Sequence, residues 1–320
     1  MMYVLLLIGF VLLIKGADLF VEGSSSIAGI LKIPSVIIGL TIVAMGTSAP
    51  EAAVSITAGL AGNSDISLGN VIGSNIFNLL VVIGVCAAIF PATSNEDILK
   101  RDLWWNVGVS VLLFLLIMDG SISRVEGIIL LVVFVSYLGL MVRSALKNRI
   151  EETPADILPL WKSLLFVLIG LAAVVFGGDM VVDNASLIAK AWGMSDTLVG
   201  LTIVAIGTSL PELATSITAT KKGDAGIALG NVVGSNIFNT LVVLGASAAI
   251  TPIMVGKSAI KKDYPMSIFA AVLLGVLCLD TIIFQAADMK ISRIDGIILL
   301  ICFAYFMYTT VQAGLKGRAE

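Results

Sequence analysis

Histidine is absent from the 320-residue sequence, and charged residues make up only 13% of it. The absence of histidine excludes Ser-His-Asp catalysis, histidine-ligated zinc and histidine proton relays. An ordinary soluble chain is about one quarter charged, so this chain has too few charges to cover a water-facing surface. The net charge of −3 and the lack of a basic block exclude a nucleic-acid partner. The three cysteines lie far apart in apolar runs, which excludes a disulfide scaffold.

Apolar residues account for 58% of the chain, and the mean hydropathy is +1.06. A membrane-spanning helix needs roughly 20 apolar residues, and runs of that kind recur along the whole sequence. The pattern predicts an all-α membrane protein with ten transmembrane helices. The predicted spans are 3–23, 36–60, 67–91, 104–119, 125–145, 162–188, 197–219, 227–250, 264–284 and 294–313.

The lysine and arginine residues of the connections predict the orientation, because cytoplasmic loops carry an excess of both. With the N-terminus outside, the cytoplasmic loops hold 11 of these residues, and the outer loops and tail hold 7. The sequence therefore predicts a multi-pass protein of the cytoplasmic membrane with an extracellular N-terminus.

The chain is internally duplicated at an offset of 161 residues. Residues 39–51 read GLTIVAMGTSAPE, and residues 200–212 read GLTIVAIGTSLPE. Extending the alignment as far as residues 82 and 243 gives 31 identities in 44 positions. The repetition is too extensive for chance and covers the most polar parts of the apolar spans.

Each copy contains five predicted spans, an odd number, so the second copy must enter the membrane from the opposite side. This topology predicts two inverted five-helix repeats with a substrate site near the midplane at their interface. The predicted units are a first repeat at 1–148, a cytoplasmic linker at 149–161 and a second repeat at 162–320.

Two glutamates, Glu51 and Glu212, occupy equivalent positions in the middle of uncharged apolar spans. A carboxylate at that depth costs several kcal/mol unless it is paired, hydrated or protonated. Neither glutamate has a lysine or arginine nearby in sequence. A protonated glutamate bonded to a neighbouring helix is the structural alternative, but the pair recurs with its whole setting, which favours cation binding.

Each glutamate ends a Gly-Thr-Ser-x-Pro-Glu segment, at 46–51 and 207–212. Glycine weakens a helix, and proline removes an N–H group and clashes with the preceding turn. The interruption frees main-chain carbonyls, and irregular backbone at membrane depth persists only where it lines a cavity or is buried in protein. A simple proline kink is the alternative. The predicted oxygen donors are main-chain carbonyls around residues 44–47 and 205–208 and the hydroxyls of Thr47, Ser48, Thr208 and Ser209.

A second repeated block reads GNVIGSNIFN at 69–78 and GNVVGSNIFN at 230–239. The GxxxG spacing allows close helix packing, but packing does not explain stacked amides and hydroxyls in an apolar span. Residues four apart share a helix face. The predicted polar pairs are Ser74 with Asn78 and Ser235 with Asn239.

All predicted ligands are oxygen atoms: two carboxylates, amides, hydroxyls and freed carbonyls. Such a set suits Ca²⁺, Mg²⁺, Mn²⁺ or Na⁺ and disfavours zinc and copper. Two carboxylates balance one divalent ion, and about six to eight flexible oxygens suit Ca²⁺ better than Mg²⁺. One flexible site can hold either Ca²⁺ or the similarly sized Na⁺.

The motifs GTSxPE and GNVxGSNIFN, once per half, resemble the repeats of the cation/Ca²⁺ exchanger superfamily. The whole chain is similar to its prokaryotic Na⁺/Ca²⁺ exchangers. The resemblance implies ten spans, inverted repeats, a central core of spans 2, 3, 7 and 8, and two long tilted helices, spans 1 and 6, that slide across this core.

The resemblance also implies ligand roles. Glu51 and Glu212 are implied to bind Ca²⁺ and to share Na⁺, with Asn78 and Asn239 at central positions. Some relatives carry an aspartate where this chain has Asn239, so this chain has only two acidic residues in the predicted core. The implied Na⁺ positions involve Thr47, Ser48, Ser74, Thr208, Ser209, Ser235 and the carbonyls of Ala44 and Ala205.

The predicted function is a secondary antiporter, not an enzyme, that exchanges Ca²⁺ for Na⁺ by alternating access, with an implied ratio of three Na⁺ per Ca²⁺. Ca²⁺/H⁺ exchange through the same glutamates and K⁺-dependent Na⁺/Ca²⁺ exchange are alternatives. A cation channel is a further alternative, although channels build symmetric rings. The predicted partners are the two transported ions and the lipid bilayer, with no cofactor, and the chain is expected to act as a monomer.

Overall fold

The computed structural model describes residues 1–94, 97–148, 157–193, 205–257, 259–278 and 289–316. These residues form a helical structure with two short pairs of β-strands. The helices are α1 (Met2–Leu31), α2 (Ser35–Thr47), α3 (Ala49–Leu60), α4 (Ser64–Ile89), α5 (Asp97–Ile117), α6 (Arg124–Lys147), α7 (Leu160–Ala191), α8 (Ala205–Gly207), α9 (Leu210–Lys221), α10 (Ala225–Ile250), α11 (Tyr264–Leu277) and α12 (Arg293–Lys316). The strands are β1 (Ala92–Ser94), β2 (Ser121–Ile122), β3 (Ile253–Met254) and β4 (Met289–Ile291).

Short π-helical segments interrupt three of the helices. They lie at Gly39–Val43 in α2, at Asn78–Val82 in α4 and at Asn239–Val243 in α10, and a fourth, Ala259–Asp263, precedes α11. Single π-turns often occur at functional sites. Two of them begin at Asn78 and Asn239, which are predicted ligands.

Among the described residues, six helices are long and apolar enough to cross a membrane: α1, α4, α6, α7, α10 and α12. Helices α2 and α3 pass the same test together as one span bent by 48°. A helical membrane protein is thereby confirmed, whereas the count of ten spans stays a prediction. Parts of the predicted spans 197–219 and 264–284, and most of the predicted linker, lie outside the described residues.

The all-α prediction omitted the two strand pairs. Strand β1 pairs antiparallel with β4, and β2 pairs antiparallel with β3. Each pair joins a connection in the first half of the chain to one in the second half. Segments of two or three residues are too short for an alternating pattern, so such long-range pairing leaves no signal in the sequence.

Two long helices, α1 with 30 residues and α7 with 32, pack side by side in opposite directions. Glycines allow their main chains to approach closely, because a Cβ atom built at Gly170 would lie 2.5 Å from the main-chain nitrogen of Phe20. Small residues permit such close packing in membranes. The glycines at this contact are Gly9, Gly16, Gly23, Gly170 and Gly177.

The two halves of the chain interleave. Helix α6 of the first half packs on α10 of the second, where Gly127 meets Gly245. Helix α12 of the second half packs on α4 of the first, where Gly296 meets Gly84. Residues from both halves therefore line one interior, and neither half forms a separate bundle.

The interior contains α2, α3, α4, α9 and α10, and every residue from Gly226 to Phe238 in α10 is buried. The outer helices α1, α6, α7 and α12 expose large apolar side chains, among them Leu7, Val132, Leu168 and Tyr305. Apolar side chains that point outward from an apolar helix suit a lipid environment. The described part of the structure agrees with the expected core of spans 2, 3, 7 and 8.

Candidate functional site

The two Gly-Thr-Ser-x-Pro segments form breaks in the helices, as the sequence predicts. Ser48 separates α2 from α3 with φ −83° and ψ 9°, and Ser209 precedes α9 with φ −93° and ψ 8°. Glu51 and Glu212 then lie in the first turns of α3 and α9. The first turn is the positive end of the helix dipole, so both carboxylates occupy favourable positions.

The serines at the breaks bind the glutamates of the opposite half. Ser48 and Glu51 have the spacing of a capping box, as do Ser209 and Glu212, yet neither serine side chain caps its own helix. Instead, the Ser48 hydroxyl donates to Oε1 of Glu212 at 2.8 Å, and the Ser209 hydroxyl donates to Oε1 of Glu51 at 3.1 Å. Each helix break therefore positions the carboxylate of the other.

A second serine reaches the same oxygen of each glutamate. The Ser74 hydroxyl donates to Oε1 of Glu51 at 3.4 Å, and the Ser235 hydroxyl donates to Oε1 of Glu212 at 3.3 Å. Both glutamates are fully buried, and neither has a basic partner among the described residues. Burying a carboxylate without a counter-charge is costly, so the site is poised to take up positive charge.

Four buried oxygens at this centre have no hydrogen-bond partner among the described residues. They are Oε2 of Glu51, Oε2 of Glu212, Oδ1 of Asn78 and Oδ1 of Asn239. Buried polar groups are nearly always hydrogen-bonded, so each exception needs a physical explanation. Two carboxylate and two amide oxygens, contributed equally by the two halves, form a donor set that suits Ca²⁺ or Na⁺.

At each helix break, an asparagine side chain forms hydrogen bonds to the helix that follows the break. Asn70 donates to the main-chain oxygen of Glu51 at 3.2 Å and to the hydroxyl of Ser55 at 2.9 Å, and its Oδ1 accepts from Thr208 at 3.4 Å. The second half repeats the arrangement with Asn231, Glu212, Ser216 and Thr47. Hydroxyl and amide contacts therefore surround the centre on two sides.

The two sides differ in exposure. Thr47 and Asn231 are fully buried, whereas their counterparts Thr208 and Asn70 are half-buried. A Cβ atom built at Gly234 would lie 2.6 Å from the main-chain oxygen of Leu40, but the counterpart of Gly234, Gly73, has no described atom within 4 Å. The GxxxG packing prediction is therefore confirmed in the second half. In the first half it stays a prediction, because the counterpart of Leu40, residue 201, lies outside the described residues.

A cavity of about 570 Å³ lies beside the more exposed side. Most of its lining residues are apolar or glycine, and three are charged. Its lining residues include Gly69, Gly73, Ile206, Phe303, Asp65 and Lys257. The cavity runs along α4 beside Gly69 and Gly73, whereas Asn70, Ser74 and Asn78 are not among its lining residues.

The structure brings most of the predicted site residues together. The Ala44 carbonyl accepts from the hydroxyl of Ser235 at 3.4 Å and from the hydroxyl of Thr47 at 3.3 Å. Ala205 begins α8 next to residues outside the described part, so the role of its carbonyl stays a prediction. Hydrogen bonds link Glu51, Glu212, Ser48, Ser209, Ser74, Ser235, Thr47, Thr208 and Ala44 in the two halves of the site. Asn78 and Asn239 are buried and bond to amides of the opposite half, and not to either glutamate, among the described contacts.

Sequence reasoning missed three residues: two that bond to Asn78 and Asn239, and a third that bonds to one of those two. Asn75 and Asn236 follow Ser74 and Ser235 in the sequence, and they bond to Asn239 and Asn78. Thr240 bonds to Asn75 and replaces Leu79 of the first repeat. A polar residue at an otherwise apolar repeat position was the available signal.

The family model described as sodium/calcium exchanger protein matches residues 1–143 and 162–312. The chain is 42% identical to CaxA of Alkalimonas amylolytica, over 95% of this chain and 97% of that protein. It is 31% identical to the sodium/calcium exchanger MaX1 of Methanosarcina acetivorans, over 95% and 97% of the two chains. The sodium-calcium exchanger NCX_Mj soaked with zero Na⁺ and Ca²⁺ has a similar structure, with a TM-score of 0.83, 31% identity and coverage of 97% and 98%.

Proposed function

This chain belongs to the sodium/calcium exchanger protein family, a family of cation antiporters, and we propose that it expels Ca²⁺ in exchange for Na⁺ across the cytoplasmic membrane. The observation that carries this proposal is the set of four buried oxygens from Glu51, Glu212, Asn78 and Asn239 that have no hydrogen-bond partner among the described residues. Among the described residues no three histidine, cysteine or acidic side chains converge. The donor atoms are therefore the oxygens of two carboxylates and of neutral groups. Such a set favours hard cations such as Ca²⁺ and Na⁺ and binds them reversibly.

The assignment of ligands follows from the charges. Ca²⁺ binds between the two glutamates with the amide oxygens of Asn78 and Asn239, because only the carboxylates supply the two negative charges that balance it. Na⁺ shares the carboxylates and occupies flanking positions. The flanking donors are the hydroxyls of Thr47, Thr208, Ser48, Ser209, Ser74 and Ser235 and the carbonyls of Ala44 and Ala205.

We further propose alternating access through two inverted repeats, 1–148 and 162–320, with ten spans in all. The closed packing around Thr47, Asn231 and Gly234 supports one sealed side, and the cavity beside Gly69 and Gly73 supports one open side. With the N-terminus outside and the 149–161 linker in the cytoplasm, the open side is the extracellular one. When the protein changes conformation, the open side closes and the sealed side opens, so that bound ions reach the other side of the membrane.

On the sealed side, Asp224 forms hydrogen bonds that join three helix ends. Asp224 accepts from the hydroxyl of Ser35 at 2.7 Å and from the hydroxyl of Ser25 at 2.9 Å, and it also caps the N–H of Ile227 at 3.0 Å. These bonds tie the end of α1 and the start of α2 to the start of α10. The counterpart in the first half is Asn63, whose side chain does not cap α4.

The charge of the loaded site determines the effect of voltage. One Ca²⁺ neutralises the two glutamates, whereas three Na⁺ leave one net positive charge. Moving that charge through the membrane potential is worth about 2.3 kcal/mol per 100 mV. A negative interior therefore drives Na⁺ inward and Ca²⁺ outward.

Proteoliposomes test the function directly. Purified protein in vesicles loaded with Na⁺ should accumulate radioactive Ca²⁺, and vesicles loaded with K⁺ or choline, or held at an acidic interior pH, should not. Glu51→Gln and Glu212→Gln should each abolish uptake. Glu126→Gln is a matched control, since Glu126 caps α6 and glutamine also suits that position.

Uptake driven by a proton gradient alone would favour Ca²⁺/H⁺ exchange, and a requirement for K⁺ would favour K⁺-dependent exchange. Full activity in either glutamate variant would refute the central site. Vesicles clamped at opposite potentials test the ratio of ions. Equal rates at both potentials would contradict three Na⁺ per Ca²⁺.

A further inference from the structure

On the sealed side, a hydrogen bond joins helix α1 to the connection between α9 and α10. The hydroxyl of Ser25, near the end of α1, donates to Oδ2 of Asp224 at 2.9 Å, and the two residues lie 199 positions apart. Asp224 also precedes α10 and accepts from the N–H of Ile227 at 3.0 Å. The bond from Ser25 therefore holds the two halves of the chain together at this end of the proposed transport path.

The offset of 161 residues relates this pair to a second pair, which joins the opposite halves. The serine corresponds to Ser186 in α7, and the aspartate corresponds to Asn63 ahead of α4. The backbone has the same form at both connections, because the preceding glycine has a positive φ, 77° at Gly62 and 83° at Gly223. Asn63 and Asp224 then occupy the N-cap positions of the helices that follow.

On the open side, the second pair lacks the bond that the first pair makes. The hydroxyl oxygen of Ser186 is buried and has no hydrogen-bond partner among the described residues. Asn63 is exposed, and its side chain does not cap α4. Buried hydroxyls are nearly always hydrogen-bonded, so this hydroxyl needs an explanation that the observed conformation does not supply.

We propose that Asn63 and Ser186 form a latch that closes the extracellular side in the alternate conformation, with the serine hydroxyl donating to the amide oxygen. This inference rests on the proposed function, exchange by alternating access. In inverted repeats the two halves exchange roles when the protein changes conformation, so the second pair should meet when the first pair separates. An amide oxygen accepts a hydroxyl proton as a carboxylate does.

The two latches differ in charge. On the sealed side the acceptor is a carboxylate, and Lys222 adds a bond from Nζ to the main-chain oxygen of Asp18 at 2.9 Å and an ion pair with Glu22 at 3.7 Å. The counterpart of Lys222 in the first half is Ala61. Charge-assisted hydrogen bonds are stronger than neutral ones, so the extracellular latch is the weaker one. The structure accordingly has the charged latch closed.

Disulfide cross-linking tests whether the second pair meets. Asn63→Cys is combined with Ser186→Cys, and a protease site in the predicted linker at 149–161 lets the two halves separate on a non-reducing gel unless a disulfide joins them. Asn63→Cys with Leu187→Cys is the matched control, because Leu187 is exposed on a different face of α7. The single variants show whether the natural cysteines take part.

The disulfide should form while the protein exchanges Na⁺ for Ca²⁺ in proteoliposomes. It should abolish Ca²⁺ uptake, and a reducing agent should restore it. With the extracellular latch locked, the cytoplasmic side is open, so amide hydrogens between Ser25 and Ser35 should exchange faster than in the reduced protein. Ser25→Cys with Asp224→Cys should cross-link in the conformation observed and should also block uptake reversibly.

A double-mutant cycle gives a second measurement that needs no cysteine. Asn63→Ala and Ser186→Ala should each lower the exchange rate about fivefold, the effect of losing one neutral hydrogen bond in the alternate conformation. The double variant should lose no more than either single variant, because both remove the same bond. Losses that multiply in the double variant would overturn the proposal.

The proposal and the function on which it rests fail in different ways. If wild-type protein does not exchange Na⁺ for Ca²⁺, the proposed function is wrong and so is the proposal. If wild type exchanges the ions, but the cysteines at residues 63 and 186 never cross-link or cross-link without loss of uptake, the function stands and the latch is refuted.

Discussion

The hydroxyl of Ser48 donates a 2.8 Å hydrogen bond to Oε1 of Glu212, which lies 164 positions further along the chain. The reciprocal bond joins Ser209 to Glu51 at 3.1 Å. Each glutamate is thus held by its own helix through the backbone and by the opposite half through a hydroxyl. A displacement of one half relative to the other changes both bonds at once, which couples the shape of the site to the relative position of the halves.

The serines at the helix breaks should affect Na⁺ more than Ca²⁺. In Ser48→Ala and Ser209→Ala, the carboxylates that balance Ca²⁺ remain, but a neutral oxygen of a flanking position is lost. We expect the Na⁺ concentration for half-maximal exchange to rise several-fold, with a smaller change in Ca²⁺ KM, in proteoliposome uptake. Ser136→Ala, on the exposed face of α6, is the control, and equal losses for both ions would contradict separate Na⁺ positions.

Acid should weaken Ca²⁺ binding. Protonation of either glutamate removes one of the two charges that balance Ca²⁺, so binding releases protons and the Ca²⁺ Kd should rise as the pH falls. The chain has no histidine, so imidazole titration cannot produce the same effect. Calorimetric titrations between about pH 8 and pH 5 would measure it, and a constant Kd over that range would show that the carboxylates are not the ligands.

Close packing of α1 on α7 should tolerate no side chain at Gly170. Alanine normally stabilises a helix relative to glycine by about 1 kcal/mol, but here the added Cβ would overlap the main chain of Phe20. We expect Gly170→Ala to lower the thermal unfolding midpoint and to cost about 1–3 kcal/mol. Gly139→Ala, with no described atom within 4 Å, is the matched control, and a Tm equal to that of this control would contradict the observed packing.

Loss of Asp224 should loosen the sealed side without removing a proposed ligand. In Asp224→Ala, Ser25 and Ser35 lose their common acceptor, so hydrogen exchange should accelerate in the amides between them. The Ca²⁺ affinity of the folded protein should change little, whereas the rate of amide hydrogen exchange in this segment should rise clearly. Asp65→Ala, at the start of α4, is the control. Unchanged hydrogen exchange in the Asp224 variant would show that the contact does not hold that side closed.

Much of the candidate site follows from local chemistry that is visible in the sequence. A glutamate in an apolar run, a proline after Gly-Thr-Ser, and a serine four residues before an asparagine each have a physical cost that a binding site explains. The repetition at an offset of 161 residues showed that the two copies act together. These signals are local or periodic, so Glu51, Glu212, Asn78 and Asn239 could be predicted without a structure.

The tertiary structure alone decided which groups meet across the two halves. The capping-box spacing of Ser48 and Glu51 favours a local bond, yet the interleaved helices bring Ser48 closer to Glu212. The link from Thr240 through Asn75 to Asn239 also joins residues of the two halves, and no local pattern predicts it. Sequence determines the donors that each half can offer, and packing between the halves determines which of them remain free for an ion.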